Sequence, residues 1–426
     1  MKLTEDDIYR TSTQYRNWSF TPTQLALQRQ KTNQQASERV KAAVARQRAQ
    51  RVRQPQADTA STSESERNGS GIENGSSTPI PVGDQEVNCL TVEEEMKLVD
   101  TFCEKALDLG KFCNFPTEVT ATCIQFLRRF YLFNSPMTYE GQNISRTAMF
   151  IANKAESYFL NAENYAARFG PKATAEKVLA PEYLIIQALR YNLDVRHPFR
   201  GLKGGHLELI ELANGNLAAL PSATETPAEL QAQMLLLPRK PDGPATRMSI
   251  AELEKRITDA YGFASHILKT AALLTDAYFL YTPSHIWLSA HLLADEPLTL
   301  FYLSTKLPSS SPMAAKTLAT IRSCATLLSS HRSFNSDRIP PSEKDARDKK
   351  EKEEVQVLVK KLRQCRDPDK IDLVKLNQAQ KRDAVEGGGL EENKAKRRKL
   401  QREGYQKEAE DFWGPELAKG ENREGK

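Results

Sequence analysis

Apolar positions recur along this chain at helical spacing, in blocks separated by stretches that carry almost none. In FPTEVTATCIQFLRRFYLFNSP, Val119, Cys123, Phe126, Phe130 and Tyr131 fall on one side of a 3.6-residue repeat, and Asn134-Ser135-Pro136 closes the segment. That spacing predicts a buried amphipathic helix. QNISRTAMFIANKAESYFL and PEYLIIQALRYNL follow, the second apolar on nearly every side, a pattern usual at the centre of a bundle. The sequence holds no sustained period-2 alternation and no Asn-Gly hairpin between apolar runs, so strands are not expected.

A second helical block begins near residue 250. Leu253, Ile257, Tyr261, Ala264 and Leu268 line one stripe of a long helix running towards Tyr281, and Thr282-Pro283 stops it and starts PSHIWLSAHLLA. Between the blocks, Pro221, Pro227, Pro238, Pro241 and Pro244 interrupt any regular element, which marks residues 201–249 as a connection.

Helix starts are legible elsewhere too. Thr21-Pro22-Thr23-Gln24 forms a capping box with Pro22 at the first helical position, and Phe20 with Leu25 fits a hydrophobic staple. The helix that follows turns polar after its first turns and reads as a solvated rod. Residues 53–88 hold almost nothing apolar and cannot offset the entropy of ordering, so they read as a disordered linker. Thr91 and Glu94 make a second capping box. After Ser330 the chain becomes charged, with a solvated helix expected around Glu351 to Arg366 and a mobile tail beyond. The organisation is thus an N-terminal helix over 1–52, a linker over 53–88, helical groups over 89–200 and 250–332 joined by 201–249, and a charged C-terminal part over 333–426.

Composition narrows the chemistry. Hydrophobic residues make up 39% of the 426 positions, slightly low for a chain packed throughout. The net charge is +5, from 60 basic and 55 acidic residues, so no global field argues for nucleic acid. Apolar runs are interrupted well before the length a bilayer requires. Six cysteines without a C-x-x-C pair, and no leading apolar segment, favour reduced thiols in the cytosol or nucleus. Cys123, inside an apolar stripe, reads as a small buried hydrophobe. The six histidines form neither H-E-x-x-H nor a zinc spacing with cysteine, so no metal or cofactor is expected. Gly201-Leu202-Lys203-Gly204-Gly205 lacks both the preceding strand and the G-K-[ST] ending of a phosphate loop. The basic run Lys394 to Lys399 fits a nuclear import signal and a solvated helix face about equally, and has no interleaved aromatics to stack bases.

One charged residue is out of place. In FIANKAESYFL, Lys154 shares a helical face with Phe150, Ile151 and Tyr158, where burial is expected. It could snorkel from a core face, or it could bind a partner. Glu182, just after Pro181, could simply complement a helix dipole.

The segments Gln14-Tyr15-Arg16-Asn17-Trp18-Ser19-Phe20, Arg128-Arg129-Phe130-Tyr131-Leu132, Ala152-Asn153-Lys154-Ala155-Glu156, Asn192-Leu193-Asp194-Val195 through Arg200, and Thr275-Asp276-Ala277-Tyr278-Phe279-Leu280-Tyr281-Thr282-Pro283-Ser284 say more. Through them the chain resembles the cyclin H family, regulatory subunits of the CDK-activating kinase carried by TFIIH. The resemblance implies an all-α fold of two tandem five-helix cyclin boxes with extra N- and C-terminal helices packed on the first box, and no catalytic role of its own. It implies that Lys154 and Glu182 hydrogen-bond to main chain of a cyclin-dependent kinase near its αC helix. Ile151, Ile186, Tyr191 and Leu193 would supply apolar area beside them. It further implies a RING-finger assembly subunit and the TFIIH core as partners, a nuclear location, no direct nucleic-acid or membrane contact, and phosphorylation of RNA polymerase II repeats and of CDK activation loops by the complex. A cyclin-fold partner of a different transcriptional kinase, or a non-kinase transcription-initiation scaffold, is the alternative. Three departures stand out: Pro181 where relatives continue a helix, the long linker and connection, and an extension beyond about Arg366 with no counterpart.

Overall fold

Side chains that cap their own helices set many of the element starts. The computed structural model describes residues 5–53, 87–171, 173–216, 225–241, 243–307, 312–334, 340–368 and 373–374, and among them there is no strand. Everything below lies within the compact unit Met1–Ile371. The N-terminal segment comprises α1 (Glu5–Thr11), α2 (Thr13–Trp18) and α3 (Pro22–Arg53). At the start of α3 the backbone N–H of Thr21 donates to Gln24 Oε1 at 2.9 Å and that of Gln24 to Thr21 Oγ1 at 3.2 Å, the predicted capping box.

The first helical group contains α4 (Val92–Phe112), α5 (Thr117–Phe133), α6 (Gly141–Ala155), α7 (Ala162–Ala167), α8 (Ala175–Leu179) and α9 (Glu182–Ala188). Thr91 and Glu94 close the reciprocal cap of α4. The central helix is α5, on which every side chain from Val119 to Leu132, Cys123 included, is buried. It packs against α3, α4, α6 and α9. PEYLIIQALRYNL, expected at the centre, instead yields the seven-residue α9 at the edge, with Tyr183 and Tyr191 exposed.

The second group contains α10 (Phe199–Ala213), α11 (Pro227–Leu235), α12 (Ile250–Lys269), α13 (Ala271–Leu274), α14 (Ala277–Leu280), α15 (Pro283–Ala294), α16 (Glu296–Lys306) and α17 (Pro312–Ser330); α18 (Pro341–Gln364) follows. Two expectations fail here. Residues 201–249 are not merely a connection, because α10 packs on α12 and α15 and forms part of the group's core. Two of its glycines are there for fit: a Cβ on Gly201 would lie 2.6 Å from Trp287 Cδ1, and one on Gly205 2.8 Å from Trp287 Cη2. The helix expected to run from Leu253 to Tyr281 stops at Lys269. Thr270 leaves the helical region (φ −126°, ψ −90°) while its hydroxyl donates to the His266 carbonyl at 2.8 Å; four residues on, Arg128 of α5 donates from Nε to the Leu273 carbonyl at 3.0 Å and also bonds the Leu274 carbonyl, which ends α13.

The flanking helices pack on the first group, with α3 against α4 and α5, and α18 against α4. Neither is a solvated rod. Ala36, Val40 and Val44 of α3 meet Val87, Leu90, Leu98, Met137, Leu362 and Cys365 in one small core, with Leu358 and Val359 packed against it. The apolar positions of α3 are sparse but keep helical spacing, which a mean polarity conceals. Lys361 of α18 pairs with Glu94 at 2.7 Å and Lys97 pairs with Glu354. Residues 54–86, most of the expected linker, lie outside the described residues, as do Gly387 to Gly389 and the basic run Lys394 to Lys399.

Candidate functional site

Two helix ends in the first group carry the singled-out residues. Lys154 lies in the last turn of α6 and Glu182 is the first residue of α9; the helices pack side by side and Lys154 Nζ forms an ion pair with Glu182 Oε1. The same ammonium lies 4.6 Å from the Phe150 ring centroid. Side-chain exposures of 42% for Lys154 and 22% for Glu182 put the pair on the surface. A pair so exposed contributes at most about 1 kcal/mol to folding. Pro181 stands at the N-cap of α9, so the helix begins at Glu182, and the carboxylate complements its N-terminus.

Both helices end the same way. The Tyr158 N–H bonds the Asn153 carbonyl at 2.8 Å and the Ser157 N–H that of Lys154 at 3.2 Å; the Tyr191 N–H bonds Ile186 at 3.0 Å and the Arg190 N–H bonds Gln187 at 2.8 Å. These are Schellman motifs, with Ser157 (φ 58) and Arg190 (φ 57) in the left-handed position that usually holds glycine. Because α6 stops at Ala155, Tyr158 is not on the face of Lys154, contrary to the helical projection.

What the turns present is aromatic. Phe159 is 81% exposed, Tyr183 68% and Tyr191 60%, with Tyr158 and Leu179 also open to solvent. The Tyr191 hydroxyl donates to Tyr183 Oη at 3.1 Å, with ring centroids 6.5 Å apart. Ile186 and Leu193 are half-buried beside them. Ile151 is different: it is 1% exposed inside the core, so its expected place on the surface is corrected. Tyr183, Phe159, Tyr158 and Leu179 were not anticipated. The one available signal was Tyr183 and Tyr191 eight residues apart, two turns on one helical face.

Behind this surface a buried polar chain ties α6 to the second group. Thr122 Oγ1 donates to Glu156 Oε1 at 2.6 Å and lies 2.8 Å from His197 Nε2; His197 Nδ1 lies 3.0 Å from Tyr278 Oη. Since Thr122 gives its proton to Glu156, it accepts from His197 Nε2–H. Burial, assisted by Arg129, holds the imidazole pKa down at about 3, so the ring is neutral at ordinary pH and Nδ1 accepts from the Tyr278 hydroxyl. In Asn153-Lys154-Ala155-Glu156 the lysine therefore faces out while the glutamate anchors the helix end inward.

Among the described residues no group of three or more His, Cys, Asp or Glu side chains could hold a metal, and no helix is long and apolar enough to cross a membrane. The arrangement offers a cation, an anion and open aromatic faces, the components of a polypeptide-docking surface.

Comparison with known proteins extends this geometry. The family model described as Cyclin, N-terminal domain matches residues 106–194, and the one described as Cyclin C-terminal domain matches residues 197–329. The join falls two residues before α10, where the second group begins. Cyclin CCL1 of Saccharomyces cerevisiae is 30% identical over 308 residues, 72% of this chain and 63% of that protein. Cyclin mcs2 of Schizosaccharomyces pombe is 32% identical over 198 residues, 46% of this chain and 53% of that protein. The chain thus spans 53% to 63% of the length of these curated relatives. Among solved structures, the CAK complex of Chaetomium thermophilum bound to ATP-gamma-S contains a similar chain, with a TM-score of 0.64 and 31% identity, covering 91% of this chain and 98% of that one.

Proposed function

The chain belongs to the cyclin family, and from that premise we propose that it is the regulatory subunit of a CDK-activating kinase of the TFIIH type, binding a cyclin-dependent kinase and holding its αC helix inward. The observation that carries the kinase reading is the Lys154–Glu182 pair set among Tyr183, Tyr191 and Phe159, charged and aromatic groups that the fold leaves open. The likeness to a CAK chain over nearly its whole length favours this type of kinase over others.

The mechanism is a shift of population. A protein kinase needs its β3 lysine paired with the αC glutamate before ATP is correctly held. A subunit that binds the inward state better than the outward one shifts the balance by that difference in affinity, and moving from 1:99 to 99:1 takes about 5.5 kcal/mol. On docking, Lys154 donates to main-chain carbonyls of the kinase near its αC helix and Glu182 accepts from main-chain N–H groups there, each giving up part of its bond to the other. The tyrosines, with Ile186 and Leu193, exclude water around them and supply most of the buried area, while the charges fix register. The chain contributes no catalytic group to phosphoryl transfer and needs no cofactor.

Within this reading the remaining partners are a RING-finger assembly subunit and the TFIIH core, the complex acts in the nucleus, and its substrates are RNA polymerase II repeats and CDK activation loops. Co-expression with the candidate kinase, with activity measured in the presence and absence of this chain, tests it. Stimulated phosphorylation of both substrates is expected. Recovery of another kinase from affinity purification would favour the alternative pairing, and recovery of none would favour a scaffold.

A further inference from the structure

Arg190 and Tyr191 take φ of 57° and 59°, consecutive left-handed positions that bulky side chains avoid, on the surface where Tyr191 is exposed. The Asn192 N–H bonds the Leu189 carbonyl at 3.0 Å and the Asn192 side-chain amide bonds the Arg190 carbonyl at 2.9 Å, closing a turn whose two central residues are both left-handed. That strained turn is also held from outside. Trp18 of α2 is fully buried, with the Arg129 guanidinium 5.1 Å and the Arg190 guanidinium 5.5 Å from its ring centroid. Arg190 also lies 5.0 Å from the ring of Phe133, which meets Trp18 edge to face.

A second tie lies a few residues on. The buried Gln14 accepts at Oε1 from the backbone N–H of Arg196 at 2.7 Å and from Arg129 Nη2 at 3.2 Å, and Arg129 Nη1 reaches the Asp194 carbonyl at 3.5 Å. The N-terminal segment therefore grips residues 190–196 at both ends, through a stacked cation at Arg190 and a main-chain bond at Arg196.

We propose that Trp18 and Gln14 form an N-terminal clamp that holds residues 190–196 in the strained shape presenting Tyr191 and Leu193 to the kinase. This rests on the docking surface proposed above. Trp18 is a positioning residue: it touches no partner and acts through Arg190. Removing its ring frees the loop to relax out of the left-handed region and withdraws Tyr191 from the docking plane.

The full chain is tested with Trp18→Ala and Trp18→Phe, each alone and combined with Tyr191→Ala. Amide hydrogen exchange of the uncomplexed chain and affinity for the co-expressed kinase are both measured. In Trp18→Ala, amides of 190–196 should exchange about tenfold faster while those of α12 and α15 are unchanged. Kinase affinity should fall about tenfold, and Trp18→Phe should recover both readouts to within about threefold. In the Tyr191→Ala background the loss caused by Trp18→Ala should shrink to under about threefold, because the two residues act as one unit. Unchanged exchange at 190–196, or losses that simply multiply, would overturn the clamp. Should Trp18→Ala fail to fold, Gln14→Ala carries the same predictions through the Arg196 bond alone. If Lys154→Ala leaves kinase affinity untouched, the docking surface fails instead, and the exchange measurement still decides whether the clamp exists.

Discussion

Asp276 receives both terminal nitrogens of Arg29, Nη1 at 2.9 Å and Nη2 at 2.6 Å, although 247 residues separate them. Arg128 donates to the same carboxylate from Nη1 at 3.2 Å and to Asp100 from Nη2 at 2.8 Å. One acid of the second box, at the N-terminus of α14, thus ties the N-terminal helix and the central helix of the first box to that box. Phe20 adds a backbone bond to the Phe279 carbonyl at 2.8 Å, with the two rings packed edge to face.

Breaking this tie should destabilise the whole chain. Asp276→Ala leaves the buried Arg128 short of a partner and is expected to cost about 3 to 5 kcal/mol, measured by urea unfolding. The same contact predicts acid sensitivity. Burial alone would raise the Asp276 pKa, but the hydrogen bond from Arg29 and the charge of Arg128 win and hold it below the usual carboxylate value. Its contribution is present above the unfolded pKa and is lost as pH falls through the lower folded one. Unfolding curves below about pH 4 should therefore show a loss that Asp276→Asn does not.

A second acid dependence starts at higher pH. His197 binds its proton at about pH 3 in the folded chain, against an ordinary value near 6.5, so the unfolded chain holds more protons between those limits. Stability must then fall as pH drops from 6.5 towards 3, by roughly several kcal/mol at the lower limit. His291 and His331, each held down to about 4, slope in the same direction. The His197 share is isolated by comparing the pH slope of stability in the parent chain and in His197→Gln. Equal slopes would show that this imidazole is not held neutral by its surroundings.

At the proposed docking surface, folding and binding should separate. Lys154→Ala is expected to weaken kinase binding by about 2 to 5 kcal/mol. Its effect on stability should be no more than about 1 kcal/mol, the worth of an exposed pair. Titration calorimetry and thermal melts on the same preparation check both. A large melting shift with intact binding would assign the lysine to the fold.

Ile151 and Tyr183 should behave in opposite ways. Ile151→Ala opens a cavity in the core of the first box and is expected to destabilise it by about 2 to 5 kcal/mol. Tyr183→Ala removes an exposed ring, should leave the melt nearly unchanged, and should lower kinase affinity by about 1 to 2 kcal/mol if the ring is a central anchor. Circular dichroism melts and a pulldown series distinguish the two.

Legibility followed the range of the interactions. The caps at Thr21 and Thr91, the stripe of α5 and the start of α9 at Glu182 were readable because each is settled within a few residues. The apolar face of α3 was present in the sequence, but its partners Leu362 and Cys365 come from the far end of the chain, so its polarity suggested solvent. The residues proposed for docking were singled out chiefly through family resemblance. That resemblance put Ile151 on the surface although it is buried, and helical projection put Tyr158 on the buried face although it is exposed, because projection cannot tell at which turn a helix leaves the core.

The sequence by itself determined that the chain is helical and where most helices begin, since hydrophobic period and capping act over three or four residues. Only the tertiary structure decided that α10 is a core helix, because its glycines make sense once Trp287 lies against them. It also decided that α13 ends at Leu274, because a guanidinium from α5 takes the carbonyls of Leu273 and Leu274. And it decided that Lys154 stands clear of the core beside Glu182, because a left-handed Ser157 ends α6 one residue after its cap. Where a helix ends, and which face it shows, depends on atoms contributed from distant positions, and no local pattern carries their coordinates.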